Sequence, residues 1–508
     1  MHKQFLNYLR KSFFIFLFFP VLTVFSQKKI EIVHANSLEF DKSVSKDARR
    51  LIGNVAFKHE GVYLYCDSAY FFSAQNRLDA YNNVKIKQGD SLLLTGDTLH
   101  YDGTSRIAEI TGEKVYLNSK DLELESSVLV YDIAKSKAYF YNGGKIINKK
   151  ENSTLVCRQG YYFTSQETFF FKGDVSLKSP DYQIFTDTLK YLPQTETFVF
   201  LGDARIELKD RTILCERGRY EAQKKVSFFA GNVQIITEDQ VVFSDSIFYD
   251  ENKEIAEAFL GNKITDSVQN TVITCNYAFL NSKDSLTLFT DSILLAQAID
   301  KDTFFLHSDT LHSFTDSLNR EIMQAYYHVK FFKSDLQGKC DSLVFNNQDS
   351  TITLYHNPVV WTEEHQLTAD TIIIYQDKEN IKYIDFLSDA MIISERDSGQ
   401  YNQVKGWFMR GYFHDGEIRQ IHVKKNAQSL YYAYDDSTLT GINKSLSSEI
   451  IVRIDSNEVQ TISFIEEPSA VFYPPDKLDD KEKYLDGFHW LIQYRPQRKE
   501  DVFIRDED

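Results

Sequence analysis

A two-part repeat of roughly 30 residues constrains this chain most, because a fixed period of that length requires a stack of similar units. One part is a small turn pair followed by an apolar alternation: Gly53-Asn54-Val55, Asn82-Asn83-Val84, Gly112-Glu113-Lys114-Val115 and Gly143-Gly144-Lys145-Ile146. It continues as Gly173-Asp174-Val175, Gly202-Asp203-Ala204, Gly231-Asn232-Val233 and Gly261-Asn262-Lys263-Ile264. The other part follows about 14 residues later, as in Cys66-Asp67-Ser68-Ala69, Gly96-Asp97-Thr98-Leu99 and Thr186-Asp187-Thr188-Leu189. Later copies are Ser308-Asp309-Thr310-Leu311, Cys340-Asp341-Ser342-Leu343 and Ala369-Asp370-Thr371-Ile372. An aromatic usually comes next, such as Tyr101, Tyr191 or Tyr249. Around these anchors side chains alternate with period 2, as in Val84-Lys85-Ile86-Lys87, which is the pattern of a half-buried strand.

Each unit therefore supplies two or more strands joined by Gly, Asn and Asp turns, and stacking buries an apolar face that no unit could cover alone. The expected fold class is all-β, an elongated repeat solenoid of about a dozen units. Composition agrees: 39 Phe and 30 Tyr favour pleated surfaces, while 21 Gly and 8 Pro are too few for collagen-like or disordered material. The repeat is expected over residues 27–400. Its register fades after about Gln400, so 401–467 reads as a continuation or as a small β-domain. Pro468, Pro474 and Pro475 stop it, and 468–508 reads as a charged cap or tail containing the apolar knot Phe488-His489-Trp490-Leu491.

Residues 1–26 read as an export signal: Lys3, Arg10 and Lys11 precede an apolar run from Phe13 to Phe25, and Val24 and Ser26 suit cleavage before Gln27. The run is shorter than the ~20 residues that span a bilayer, and no cysteine near the cut would carry a lipid anchor. The expected location is periplasmic, with possible association to the outer membrane. Removing three positive charges takes the formal charge from −16 to −19, a poor balance for binding nucleic acid.

Residue chemistry does not point to catalysis. The sequence contains no HExxH, GxSxG, phosphate loop or dinucleotide fingerprint, so neither an enzyme nor a cofactor is expected. His307, His312, His328, His356 and His365 gather loosely, without metal-ligand spacing. The repeated Asp-Ser/Thr pair lacks the clustered oxygens that calcium needs, and is expected to bond nearby backbone N–H groups. Cys66, Cys157, Cys215, Cys275 and Cys340 share one slot, where other units carry Gly96, Ser126, Thr186, Ser244, Ser308 and Ala369. None lies in adjacent units, so stacking separates them by at least ~9.6 Å, beyond disulfide reach; buried free thiols are expected.

The succession Gly-Asn-Val, strand alternation, then Asp-Ser/Thr-apolar-x-aromatic resembles the OstA-like (organic solvent tolerance) family. Its domains occur in the periplasmic lipopolysaccharide-transport bridge protein LptA and at the N-terminus of its outer-membrane partner. The likeness is clearest over residues 30–279 and extends more weakly to Tyr375. It implies a β-jellyroll: two facing sheets, open along one seam, with lipopolysaccharide acyl chains between them. It also implies head-to-tail contact with related jellyrolls. This chain departs from the pattern in its length and in lacking the long barrel that follows the domain in the outer-membrane partner.

On that basis the lipid-facing candidates are Val55, Phe57, Val84, Ile86, Val115, Leu117, Val175, Leu177, Val233 and Ile235. The same residues would serve a filled core equally well. The expected function is a periplasmic lipid-binding bridge toward the outer membrane. Its partners would be lipopolysaccharide or a related lipid, and other envelope-transport proteins docking by edge strands such as 28–34. The alternatives are a structural or adhesive β-solenoid, requiring a closed core, and an outer-membrane β-barrel, requiring an outward apolar band.

Overall fold

The period-2 segments form strands that bend in the middle, and the bend explains the turn pair. In strand Ala48–His59, Ile52 faces Ser68 and Val55 faces Cys66, so Gly53 and Asn54 oppose a single residue, Asp67. Gly53 has φ 77° and Asn54 φ 47°, a left-handed pair that kinks the strand at a bulge. A Cβ on Gly53 would also come 2.5 Å from the Asn36 side-chain amide, which would have to move aside. The same corner recurs at Asn82-Asn83, Gly173-Asp174 and Gly231-Asn232, and on to Lys425-Asn426 and Glu466-Glu467.

The computed structural model describes residues 30–506 apart from 41–43, 45, 60–61, 89–91, 120–121, 164, 300, 378–379, 398, 415–416, 436–437, 456–457 and 476. The expected export signal, 1–26, lies outside the described residues. Secondary structure is nearly all antiparallel strand. The chain divides into two compact units, residues 1–238 with 246–251, and residues 239–245 with 252–508. Among the described residues no helix is long and apolar enough to cross a membrane.

In the first unit each bent strand gives one leg to each of two walls. Legs 48–52, 68–72, 77–81 and 98–102 build the first wall; legs 55–59, 62–66, 84–88 and 92–96 build the second. The walls face each other across the interior, where the Phe57 and Phe71 rings lie 6.3 Å apart. Hairpin turns close the strand ends with Asx caps, such as Asp102 accepting from the Thr104 N–H at 2.8 Å.

The second unit repeats the plan around its own core, which includes Ile293, Leu311, Ala325, Val329, Leu354, Ile372, Met409 and Ile450. Its strands lengthen toward the end, to Asn380–Asp397, Gln400–His414, Glu417–Asp435 and Thr438–Asp455, and these pair in succession. The stack thus runs on past Gln400, where the repeat becomes hard to read because the legs outgrow the 30-residue period. The residues after Tyr473 do not follow the strand direction. They run back across the outer face of the second wall, packing Leu478 and Leu485 against Met391, Ile393, Leu430 and Tyr432.

All five cysteines are free and buried, in the slot opposite the residue that follows the corner: Cys66 faces Val55, Cys215 faces Ala204 and Cys340 faces Val329. Burial pushes the Cys66, Cys215 and Cys275 thiols up to about 11 and Cys157 to about 12. At pH 8 a thiol-directed reagent is therefore expected to label none of the five on the folded protein within minutes, and all five after denaturation. Fast labelling of the folded chain would show that the slot is accessible.

The corner aspartates behave differently from the backbone-bonding expectation. Asp97 does accept a main-chain N–H, from Glu113 at 2.8 Å. At several corners the partner is the side chain of the neighbouring corner: Asn83 donates to Asp67 at 2.7 Å, Asn232 to Glu216 at 2.5 Å, and His328 lies 2.8 Å from Asp309, while Asp187 and Asp341 accept from the adjacent Thr188 and Ser342 hydroxyls. A corner residue with φ near +50° aims its side chain back along the stack, so one unit clasps the next.

Candidate functional site

The first unit turns extended apolar surfaces inward on the facing sides of its two walls. On the second wall, the row beside the corner includes Val55, Val84, Val115 and Val175, each 0–1% exposed, with Val233 equally enclosed. The next row holds Phe57, Leu117 and Leu177, all buried, and Ile86 and Ile235, which are half-buried. All ten predicted lipid-facing residues therefore point into one interior. Their outward neighbours Lys85 and Lys178 are exposed. The alternation that predicted them holds because residues i and i+2 share a strand face.

Next to the corner the interior is filled by the protein itself. Phe140 on the first wall lies against Gly160 beside it and Gly144 on the opposite wall; a Cβ on either glycine would fall 2.4 Å from its ring. Farther out, toward the hairpin ends, the first wall carries a continuous aromatic row. Tyr162 pairs with Phe169, Phe169 with Tyr191, Tyr191 with Phe198, and Phe198 with Tyr220. Their rings are close, at 4.3 Å for Tyr162–Phe169 and 4.6 Å for Tyr191–Phe198. The sequence signalled this row only as an aromatic that usually follows the Asp-Ser/Thr pair.

The row marks a change from apolar to amphipathic lining. Burial pushes the Tyr162 and Tyr220 hydroxyls up to about 12, with Glu251 adding to the effect at Tyr220. Burial also raises Tyr191 and, on the second wall, Tyr182, both assisted by the charge of Glu151. Burial and then the Glu196 charge raise the Glu151 carboxyl. Glu151 belongs to a hairpin of the second wall, beside Lys149 and Lys150, and Glu196 to one of the first, next to the hairpin of Lys224 and Lys225, so the rim where the walls end carries charge of both signs. Apolar rows, a tyrosine belt and a charged rim form, in order, a gradient from corner to mouth. Such a gradient suits an amphiphile held tail-inward and head-outward. Among the described residues no three His, Cys, Asp or Glu side chains are grouped to hold a metal ion. His307 instead lies 2.7 Å from the Ile293 carbonyl oxygen, and burial lowers its pKa.

Two facing β walls built from this repeat are the architecture that the OstA-like resemblance implies. In particular, residues 27–187 match the family of OstA-like proteins, and residues 212–380 match the family described as LptA/(LptD N-terminal domain) LPS transport protein. No curated protein sequence matches the chain. Among solved structures, LptH, the LptA homologous periplasmic component of the lipopolysaccharide transport device of Pseudomonas aeruginosa, is 18% identical. That match covers 29% of this chain and 84% of LptH, with a TM-score of 0.18. The WD40 domain of SCAP from fission yeast is 8% identical, covering 85% of this chain and 96% of its own, with a TM-score of 0.11. Neither superposition is close enough to carry an argument.

Proposed function

We infer that the chain is a periplasmic bridge that carries lipopolysaccharide toward the outer membrane, with acyl chains between the two walls. One observation carries the reading: a stretch similar to OstA-like proteins and a stretch similar to a lipopolysaccharide-transport family lie on a fold whose inward rows beside the corner are mainly apolar. Burial of each methylene would favour binding by about 0.8 kcal/mol, so a few turns of acyl chain suffice for retention. The charged, solvated rim would leave lipid phosphates in water and away from the interior. A non-enzymatic role fits this chemistry.

Delivery requires partners, and the strand edges suit them. Strands Glu31–His34 and Ser37–Phe40 pair with Ala48–His59 and leave Val33 and Phe40 exposed at 53% and 69%. Such an edge accepts a further strand from a related jellyroll. The outer-membrane barrel is a poor fit, because the outward partners of Val84 and Ile86 are the exposed Lys85 and Lys87. A structural solenoid remains as a second reading. It is favoured by Phe140, which fills the corner of the interior without any ligand.

Radiolabelled lipopolysaccharide mixed with residues 27–508 in detergent-free buffer is expected to co-elute with the protein on gel filtration. Unlabelled lipid A should displace it, and the delipidated core oligosaccharide should not. Failure to co-elute, or displacement by the oligosaccharide alone, would remove acyl-chain carriage and leave the structural reading.

A further inference from the structure

Residues 477–506 form a strap on the second unit, and its anchors follow a pattern. Gln403 donates to the Lys483 carbonyl at 2.9 Å and accepts from the Leu485 N–H at 2.8 Å. Gln366 repeats the device two legs further on, with the His489 carbonyl at 2.7 Å and the Leu491 N–H at 2.7 Å. Both glutamines are 0–1% exposed, and each side-chain amide grips the strap main chain as a neighbouring strand would. Gln337, 3% exposed, accepts from Arg495 at 2.8 Å. The strap ends where Lys330 and Lys339 hold Asp506, at 2.6 and 2.5 Å.

The three glutamines lie on alternate legs of one wall. Gln337 faces Trp361, Trp361 faces Gln366, Gln366 faces Ile393, and Ile393 faces Gln403, a single row across the second wall. Their neighbours Gly338, Val360, Leu367 and Ile392 pair across the same legs on the inward side. The strap therefore crosses the strands on the outside of the wall whose inside lines the interior. Widening that interior means splaying the legs, and splaying would break two-way amide bonds that water cannot reach to replace.

We propose that the strap is a clasp that holds the second wall of this unit flat and keeps its interior shut until the strap is released. The proposal rests on the lipid-carrying reading and adds a control to it: lipid enters the second unit only when the clasp opens. Its first anchors are apolar and amide-based, and its last is ionic, so release would begin at Asp506.

The test uses the full chain with Gln366→Leu and Gln403→Leu together, and separately Asp506→Asn, which leaves the wall row untouched. Hydrogen exchange follows residues 477–506, and a photo-reactive residue in place of Phe331 or Val360 reports labelled lipopolysaccharide inside the second unit. Both variants are expected to speed strap exchange at least tenfold and to raise crosslinking at Phe331 at least threefold, with crosslinking at Phe57 unchanged. A loosened strap with no change at Phe331 would overturn the clasp while Phe57 still reported carriage. Absence of crosslinking at Phe57 in every form would instead overturn carriage itself, and the clasp with it.

Discussion

Replacing Phe140 with Ala is expected to destabilise the first unit by about 3–5 kcal/mol, because the ring bridges both walls and its loss leaves a void that strands cannot collapse into. Gly160→Val should approach the same damage from the opposite side. Its Cβ would fall 2.4 Å from the Phe140 ring, and the ring has no room to retreat because Gly144 on the facing wall is equally close. Overpacking of this kind costs about 3 kcal/mol. Coupling distinguishes a specific fit from general fragility: Phe140→Ala with Gly160→Ala should cost clearly less than the two single changes added. Urea unfolding followed by hydrogen exchange within residues 137–172 would measure it. Strict additivity would show that the ring and the glycines do not share one space.

The second large effect is expected in the other unit. Asp385 is 4% exposed and lies directly across the strand pair from Arg410, which donates to it twice, at 2.5 and 2.6 Å. The guanidinium also sits 4.3 Å from the Tyr383 ring centre. Hydrogen bonding to Asp385 raises Arg410 further above its already high range, so the cation persists at any working pH. Asp385→Ala would leave that charge half-buried without its partner, a loss of about 3 kcal/mol. Changing Asp385 to Leu and Arg410 to Met together should restore most of the stability, since the pair contributes little net once desolvation is counted. A double variant as unstable as Asp385→Ala would show that the ion pair itself holds the strands in register.

The sequence makes the walls legible because period 2 and a turn pair of Gly, Asn or Asp are local signals. Val55, Val84 and Val175 could be placed inward from their neighbours alone, and the cysteine slot follows from its small-residue alternates. The strap is of another kind. Gln337, Gln366 and Gln403 are polar residues at outward positions, spaced 29 and 37 apart, and nothing local separates them from solvated glutamines. Their burial depends on a segment 80 or more residues away that returns over them. The corner clasps were half legible: the Asp positions were clear, but left-handed φ at Asn83 and Asn232 redirects the partner from backbone to side chain. The division between filled corner and tyrosine-lined mouth was not legible at all. It depends on how far each row lies from the bend, which only the strand pairing sets.

The central claim is that lipid lies between the walls. A photo-reactive residue placed one at a time at Phe57, Val115 and Val175, and at the outward Lys85 and Lys178, tests it most directly in the detergent-free protein with labelled lipopolysaccharide. Crosslinks at the three inward positions and none at the two lysines are the predicted result. A folded, soluble protein that crosslinks at none of the five, or equally at all of them, would contradict it.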